Sequence, residues 1–246
     1  MKAVILAGGN GTRLQPLTLV VNKHLLGLYN KPIIYYGIEK LVNAGIHKIM
    51  LVTSPQYVGD FVKLLGSGNN FKMPNGKQVQ ITYGVQNEPN GIAYGLYIAK
   101  DYVGSDNCVL YLGDNIIEDD ISEHIQNFRK GAKIFLKQVD DPNRFGIATV
   151  DANNKVVRIE EKPKDPKSNL AVTGLYIYDN TVFNKIIDQP VSDRGEYEIT
   201  YINNKYIDEN ALDSVVLQKN WFDIGTIESL HSAAIYMHDK YENHKK

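Results

Sequence analysis

The chain begins "MKAVILAGGNGTRLQP" (residues 1–16), and the way this stretch breaks off decides the fold. Residues 3–7 form an apolar run with no helical period, the pattern of a strand buried on both faces. The run stops in Gly8, Gly9 and Gly11, with Thr12 and Arg13 directly after them. A loop without side chains lets backbone N–H groups approach an anion closely. Two phosphate-binding motifs open in a similar way. The dinucleotide fingerprint needs a third glycine where Leu14 stands, and the P-loop needs Gly-Lys-Ser/Thr where this chain reads "GTR". A tight turn with no ligand is the remaining alternative. Arg13 and Lys23 favour an anion, because a planar guanidinium fork and a compact ammonium both bind phosphate.

Outward from this loop, short apolar runs alternate with helix-length amphipathic stretches. "KIMLVTS", "VQITYGVQ", "CVLYLGDN" and "KIFLKQV" read as strands, and "KPIIYYGIEKLVNAG", "QYVGDFVKLLGSG", "GIAYGLYIAKDYVG" and "DISEHIQNFRKG" as helices. Pro32 suits a first helical turn, and Gly45, Gly104 and Gly131 suit helix ends. The alternation predicts an α/β protein, a Rossmann-like three-layer α/β/α sandwich whose ligands bind beyond the carboxyl ends of the strands. From about Phe145 the texture changes: "FGIATVDANNKVVRIEEKP" reads as two strands around an Asp/Asn turn. A strand "AVTGLYIYD", helices around "NTVFNKIID" and "EYEITYINNKYID", a strand "SVVLQ" and a helix from Thr226 follow. With no Pro-, Gly- or Ser-rich linker, residues 1–246 read as one domain. Residues 1–140 lie mainly on a nucleotide side, and residues 141–246 add strands to the same sheet.

The composition narrows the partners. Among 246 residues, 27 basic and 28 acidic side chains leave a formal charge of −1. No stretch gathers the lysines and arginines on one face, which argues against nucleic acid and an anionic membrane. The single Cys108 sits in an apolar run, reads as a small buried hydrophobe and fits a reducing compartment. With no signal-peptide pattern and no run long enough to span a bilayer, the expectation is a cytoplasmic protein. The tail from Tyr241 to Lys246 reads as a frayed end.

Three further stretches carry candidate chemistry. Asp114 ends the run "CVLYLGD", and Asp223 precedes the last helix in "WFDIGT". Each reads as a cap or as a Mg²⁺ ligand; Mg²⁺ takes one or two carboxylates together with phosphate oxygens and water. In "KVVRIEEKP", strand alternation places Val157, Ile159 and Glu161 on one face. A carboxylate continuing an apolar face needs hydrogen-bond donors, and sugar hydroxyls or an edge salt bridge would supply them. Lys162 then stands ready for a phosphate, and Arg194 in "RGEYEIT" reads as a phosphate contact or a surface ion pair. The six histidines show no metal-ligand spacing; His24 adjoins Lys23 and reads as support for that loop. "EDD" at Glu118–Asp120 reads as the acidic start of a helix. No Ser/His/Asp or Cys/His nucleophile pattern is present.

Taken in order, "LAGGNGTRLQPLT", "NKHLL", "NKPIIYY", "VQNEPNGIA", "LGDN", "RFGIA", "EEKP", "AVTGLYIYD", "RGEYEIT" and "FDIGT" resemble the sugar-phosphate nucleotidyltransferases over nearly the whole chain, at the length of their short form. The resemblance implies a mostly parallel mixed sheet of the nucleotide-diphospho-sugar transferase fold. It implies attack by a sugar-1-phosphate oxygen on the α-phosphorus of a pyrimidine nucleoside triphosphate, without a covalent enzyme intermediate. Among substrates it favours dTTP over UTP and glucose 1-phosphate over modified or amino sugars. Carried over by position, Leu6, Gly8, Gly9, Gly11 and Thr12 shape the nucleotide loop, and Arg13 and Lys23 hold the triphosphate. Gln86, Pro89 and Gly91 match the base-reading loop, and Asp114 and Asp223 the Mg²⁺ ligands. Gly146, Glu161 and Val172 match sugar contacts; Lys162, joined by Arg194, matches a sugar-phosphate contact. Arg13, Lys23, Asp114 and Lys162 are thus the catalytic candidates. The resemblance also implies a homo-oligomer, dimer or tetramer. Gly27, Tyr201 and Ile224 depart from the family pattern, and Gly27 and Ile224 are expected to bear on sugar choice. The rival functions are a regulatory relative that binds without catalysis and an NAD-dependent oxidoreductase, which Leu14 opposes.

Overall fold

The computed structural model describes residues 1–243, so the end of the lysine-rich tail lies outside the described residues. The opening run is strand β1 (Lys2–Leu6), and Ala3, Val4 and Ile5 are completely buried. Ribbon strands β2 (Gly27–Leu28) and β3 (Lys31–Pro32) lead into helix α1 (Ile33–Asn43). Next come β4 (Lys48–Thr53), α2 (Val58–Leu65), β5 (Gln80–Val85), α3 (Ile92–Tyr97), α4 (Lys100–Val103) and β6 (Cys108–Leu112). Beyond β6 lie β7 (Asn115–Ile117), α5 (Ser122–Asn127), β8 (Ala132–Gln138), β9 (Gly146–Val150), β10 (Val156–Glu161) and β11 (Leu170–Tyr178). Helices α6 (Val182–Ile187) and α7 (Ile199–Asp208), strands β12 (Leu212–Val216) and β13 (Trp221–Asp223), and helix α8 (Ile227–Asn243) complete the described chain.

The main sheet runs β10-β9-β11-β6-β1-β4-β5, with β8 on β11 and β12 on β8. Strand β1 pairs in parallel with β4 and β6, and β5 continues the parallel set. Strand β11 reverses direction. Its last four residues pair antiparallel with β6, its first two with β9, and its other edge with β8. The sheet is therefore mixed: a parallel half is built by crossover helices, and a mainly antiparallel half, in which only the β12–β8 pair is parallel, is grafted onto β6.

Period-2 alternation divides the core between the two faces of this sheet. On one side Ile5, Leu51, Val109 and Ile177 pack with Ile34, Ile38 and Leu41 of α1 and Phe61 of α2. On the other, Val4, Val52, Leu110 and Tyr178 meet Leu96 of α3, Phe183 of α6 and Ile202 of α7. Complete burial of a Leu or Ile side chain contributes about 1.5–3 kcal/mol, which is why these strands tolerate almost no polar residue. Cys108 is buried and free in the second layer, as its apolar context implied.

Two local readings change. A bulge between Val156 and Arg158 breaks the alternation of β10, so Val157 points outward at 46% exposure while Val156 and Ile159 stay buried. Glu161 therefore shares a face with Ile159 but not with Val157. The tail also begins as packed structure: Tyr241 lies against an apolar cluster that includes Leu28, Ile33, Ile224 and Met237, with its ring 5.5 Å from Tyr29. No helix among the described residues is long and apolar enough to cross a membrane.

Candidate active site

The carboxyl ends of the parallel strands are laced together by backbone hydrogen bonds. Ala7 donates to the Val52 carbonyl at 2.7 Å, Gly113 to Leu6 at 2.9 Å and Gln86 to Thr53 at 2.8 Å. The glycine loop, the Gln86 loop and Asp114 consequently open on one cavity of about 270 Å³. Leu6, Gly8, Gly9, Lys23, Gln86, Pro89, Gly91 and Asp114 all line it. A Cβ added to Gly8 or Gly9 would come no closer than 3.7 or 3.5 Å to any neighbour. Their missing side chains keep space open above the loop and do not relieve a clash. Gly11 serves a different purpose. It has a left-handed φ of 61° and lies outside the cavity lining, and its Cβ would stand 3.0 Å from Thr18 and 3.2 Å from Lys23.

A second cavity, of about 690 Å³, adjoins the first through Ile92, Leu112 and Glu196. Gly146, Glu161, Lys162 and Val172 line it, and so do Thr12, Arg13 and Asp223. The arginine beyond the glycines thus reaches across to the β13 side, where its Nη2 would lie 2.8 Å from a Cβ on Gly225. Phe145 and Trp221 form an aromatic wall with ring centroids 5.2 Å apart.

Asp114 of the first cavity and Asp223 of the second are tied together through their backbones. Asp223 pairs with Asn115 in the β13–β7 ladder, and Ile224 donates its N–H to the Asp114 carbonyl at 2.9 Å. Lys23 forms an ion pair with Asp114, and both side chains are largely buried. Burial alone raises the Asp114 carboxyl, but the Lys23 charge and hydrogen bonds from Lys23 and Asn115 outweigh it and hold it well below the usual range. Asp223 is pushed up to about 6, by burial and by the Asp114 charge, against the pull of Lys23, Arg144 and Arg13. The Asp114 charge thus raises the proton affinity of Asp223, and a cation placed beside the two would offset that repulsion.

A profile of the nucleotidyl transferase family matches residues 2–240. The chain belongs to this family. Glucose-1-phosphate thymidylyltransferases from Mycolicibacterium smegmatis and Neisseria meningitidis are each 42% identical to it, over 96% of this chain and 82% of theirs. A crystal structure of a Bacillus anthracis protein assigned as a glucose-1-phosphate thymidylyltransferase, in complex with sucrose, superposes with a TM-score of 0.89 at 46% identity, covering 96% of this chain and 94% of that one. UDP-glucose pyrophosphorylase in complex with UDP-glucose shares the fold at 21% identity and a TM-score of 0.84.

In this nucleotidyltransferase the charges on and near the wall of the larger cavity are arranged differently from one another. Glu161 accepts a 2.6 Å hydrogen bond from Thr200 and lies 3.8 Å from both Lys162 and Arg194. Lys162 has a left-handed φ of 43°, its N–H donates to the Phe145 carbonyl at 3.0 Å, and its ammonium is half-exposed. Arg194 is outside both cavity linings, with its guanidinium bound to Glu198 and Glu196, each at 3.0 Å. Its ion-pair reading is the one that the side-chain contacts display.

Several site residues lay inside motifs of the chain without being singled out. Asn115 is buried and accepts from Gly174 N–H at 2.9 Å and Trp221 Nε1–H at 2.7 Å while donating to Asp114 at 2.9 Å. It joins β11, β13 and the carboxylate in one network. Gly174 permits this approach, because its Cβ would stand 2.5 Å from the Asn115 Cγ. Asn22 plays a similar part on the other side. Its Oδ1 accepts from His24 N at 2.9 Å and faces His24 Nδ1 at 2.6 Å, and its Nδ2 donates to the Ala7 carbonyl at 3.0 Å. Burial, and next the Lys23 charge, push the His24 imidazole down to about 3, so it stays neutral beneath the site. Ile224 is completely buried against Leu28, Ile33 and α8, and Gly27 is exposed with nothing within 4 Å of a Cβ. Neither faces the larger cavity, contrary to the expectation that both bear on sugar choice.

Proposed function

We propose that this nucleotidyltransferase joins dTTP and glucose 1-phosphate into a nucleoside-diphosphate sugar and pyrophosphate. The observation that carries this reading is the pair of adjoining cavities, one lined by Asp114 and Lys23 and the other by Asp223, Arg13 and Lys162. The names borne by its relatives favour the same substrates.

In this reading the triphosphate lies over Gly8 and Gly9, with Leu6 beneath the nucleoside and Gly11 and Thr12 shaping the turn. Gln86 reads the imide edge of the base, and Pro89 and Gly91 form the loop beside it. Glu161, Gly146 and Val172 hold the sugar, and Lys162 holds its phosphate. Arg194 joins Lys162 only after leaving its glutamates. An oxygen of the sugar phosphate attacks the α-phosphorus in line, and pyrophosphate departs toward Lys23 and Arg13. Two anions must approach one another, so charge neutralisation and positioning provide the catalysis. Asp114 and Asp223 would hold Mg²⁺, which when bound adds positive charge at the phosphates.

The test is pyrophosphate release from dTTP, UTP, CTP, ATP and GTP against several sugar 1-phosphates. The expected result is the highest kcat/KM with dTTP and glucose 1-phosphate. Absence of activity with dTTP and UTP against every sugar refutes the reading.

A further inference from the structure

We propose that Arg144 is a further phosphate-binding residue of this centre, gripping the phosphate of the sugar-1-phosphate acceptor together with Lys162. The inference rests on the nucleotidyl-transfer reading above and adds a residue to it. Arg144 lines the larger cavity, whereas Arg194 does not. Its Nη1 donates to Asp141 at 2.7 Å, three residues back, and its guanidinium lies 5.3 Å from the centre of the Phe145 ring. The ordinary alternative, a surface ion pair with Asp141, accounts for that end of the side chain. The other end forms a looser ion pair with Asp223 in the cavity wall, with Nη2 3.6 Å from the carboxylate and beyond hydrogen-bond range. Guanidinium has five N–H donors, so donors remain on the cavity side.

The backbone ties Arg144 to Lys162. Strands β9 and β10 pair with Gly146 opposite Glu161, and the next residue, Lys162, donates its N–H to the Phe145 carbonyl at 3.0 Å. The two cations therefore leave adjacent strands at the same end and border the same cavity. Arg13 borders it from the glycine loop, and its guanidinium and the Asp223 carboxylate both lie beside Gly225. A dianionic phosphate beside Asp223 would meet one planar fork and one compact ammonium from the β9–β10 side. Paired arginine N–H groups bind two phosphate oxygens at once, with a geometry that lysine cannot reproduce.

The experiment compares Arg144→Met and Arg144→Lys with the wild-type protein. Steady-state pyrophosphate release is measured with each substrate varied, and thermal unfolding is followed with and without glucose 1-phosphate. Loss of a charge-assisted phosphate contact is expected to raise the KM for glucose 1-phosphate by at least about tenfold in Arg144→Met. The KM for the triphosphate should stay within about threefold, and the stabilisation by glucose 1-phosphate should shrink. Arg144→Lys should recover part of both effects. An unchanged KM for glucose 1-phosphate in a folded Arg144→Met protein, or a rise confined to the triphosphate, overturns the proposal. Wild-type protein that releases no pyrophosphate would refute the nucleotidyl-transfer reading instead. The unfolding shift with glucose 1-phosphate would then still decide whether Arg144 binds a sugar phosphate. Should Arg144→Met fail to fold, Arg144→Lys decides by the same two measurements.

Discussion

Protonating His24 tests whether the wall of the smaller cavity is preassembled as the structure shows. The imidazole is completely buried beside Lys23, and its pKa is pushed down to about 3. In the unfolded chain it titrates near its ordinary value of about 6.5. Between these values the unfolded chain binds a proton that the folded protein refuses, so the stabilisation is full above about pH 6.5 and is lost as the pH falls toward 3. From pH 7.5 to pH 5.0 the loss comes to about 2 kcal/mol. Almost all of that figure is set by the unfolded state, because the folded imidazole remains uncharged at both pH values. Urea unfolding of wild type and His24→Gln at the two pH values isolates the effect, since other groups titrate in both proteins. Wild type should lose about 2 kcal/mol more than the variant on acidification. Its His24 ring resonances should also stay constant over the same range in NMR titration. Equal losses in the two proteins, or a His24 ring that titrates near pH 6.5, would refute the assignment of a neutral imidazole beneath Lys23.

The reaction centre yields a second prediction: Arg13→Ala and Asp114→Asn should each lower turnover by at least roughly 100-fold, about 3 kcal/mol of barrier, with circular dichroism unchanged. Near-wild-type turnover in either folded variant would remove that residue from the chemistry. Gly174→Ala places a Cβ 2.5 Å from the Asn115 Cγ and must displace that hub. A loss of about 1–3 kcal/mol is expected, read as a fall in Tm, and an unchanged Tm would show that the network yields without cost. Gly91 has a φ of 96°, and its Cβ would lie 2.6 Å from the Tyr197 carbonyl. Gly91→Ala should therefore raise the KM for the triphosphate more than that for the sugar phosphate; equal changes would argue against a base-side role for this loop.

Much of the fold was legible because the signals are local. A buried strand ended by glycines looks the same whatever lies beside it, and each apolar run became a strand where its periodicity placed it. The "DANN" turn formed because Asp151 accepts N–H bonds from Asn153 and Lys155, at 2.8 and 2.9 Å, which its neighbours in sequence suffice to arrange. The bulge at Val156–Arg158 was not legible, because extra residues in one strand are defined only against the partner strand. Ile224 was misjudged for a similar reason: the residue next to a cavity aspartate in a strand faces the opposite way, into α8.

The sequence by itself determined that a glycine-rich loop breaks off the first buried strand and that Asp114 follows the end of a central strand, because both signals are local. Tertiary structure alone decided how the charges are shared among the partners. Arg13 reaches the Asp223 side, Arg194 is engaged by Glu196 and Glu198, and Arg144 comes to the same cavity as Lys162. Side-chain identity fixes what a group can bind. Which carboxylate it meets first depends on strand pairing and loop closure between residues more than a hundred positions apart, as with Lys2 and Cys108 or Asn115 and Asp223 in their ladders.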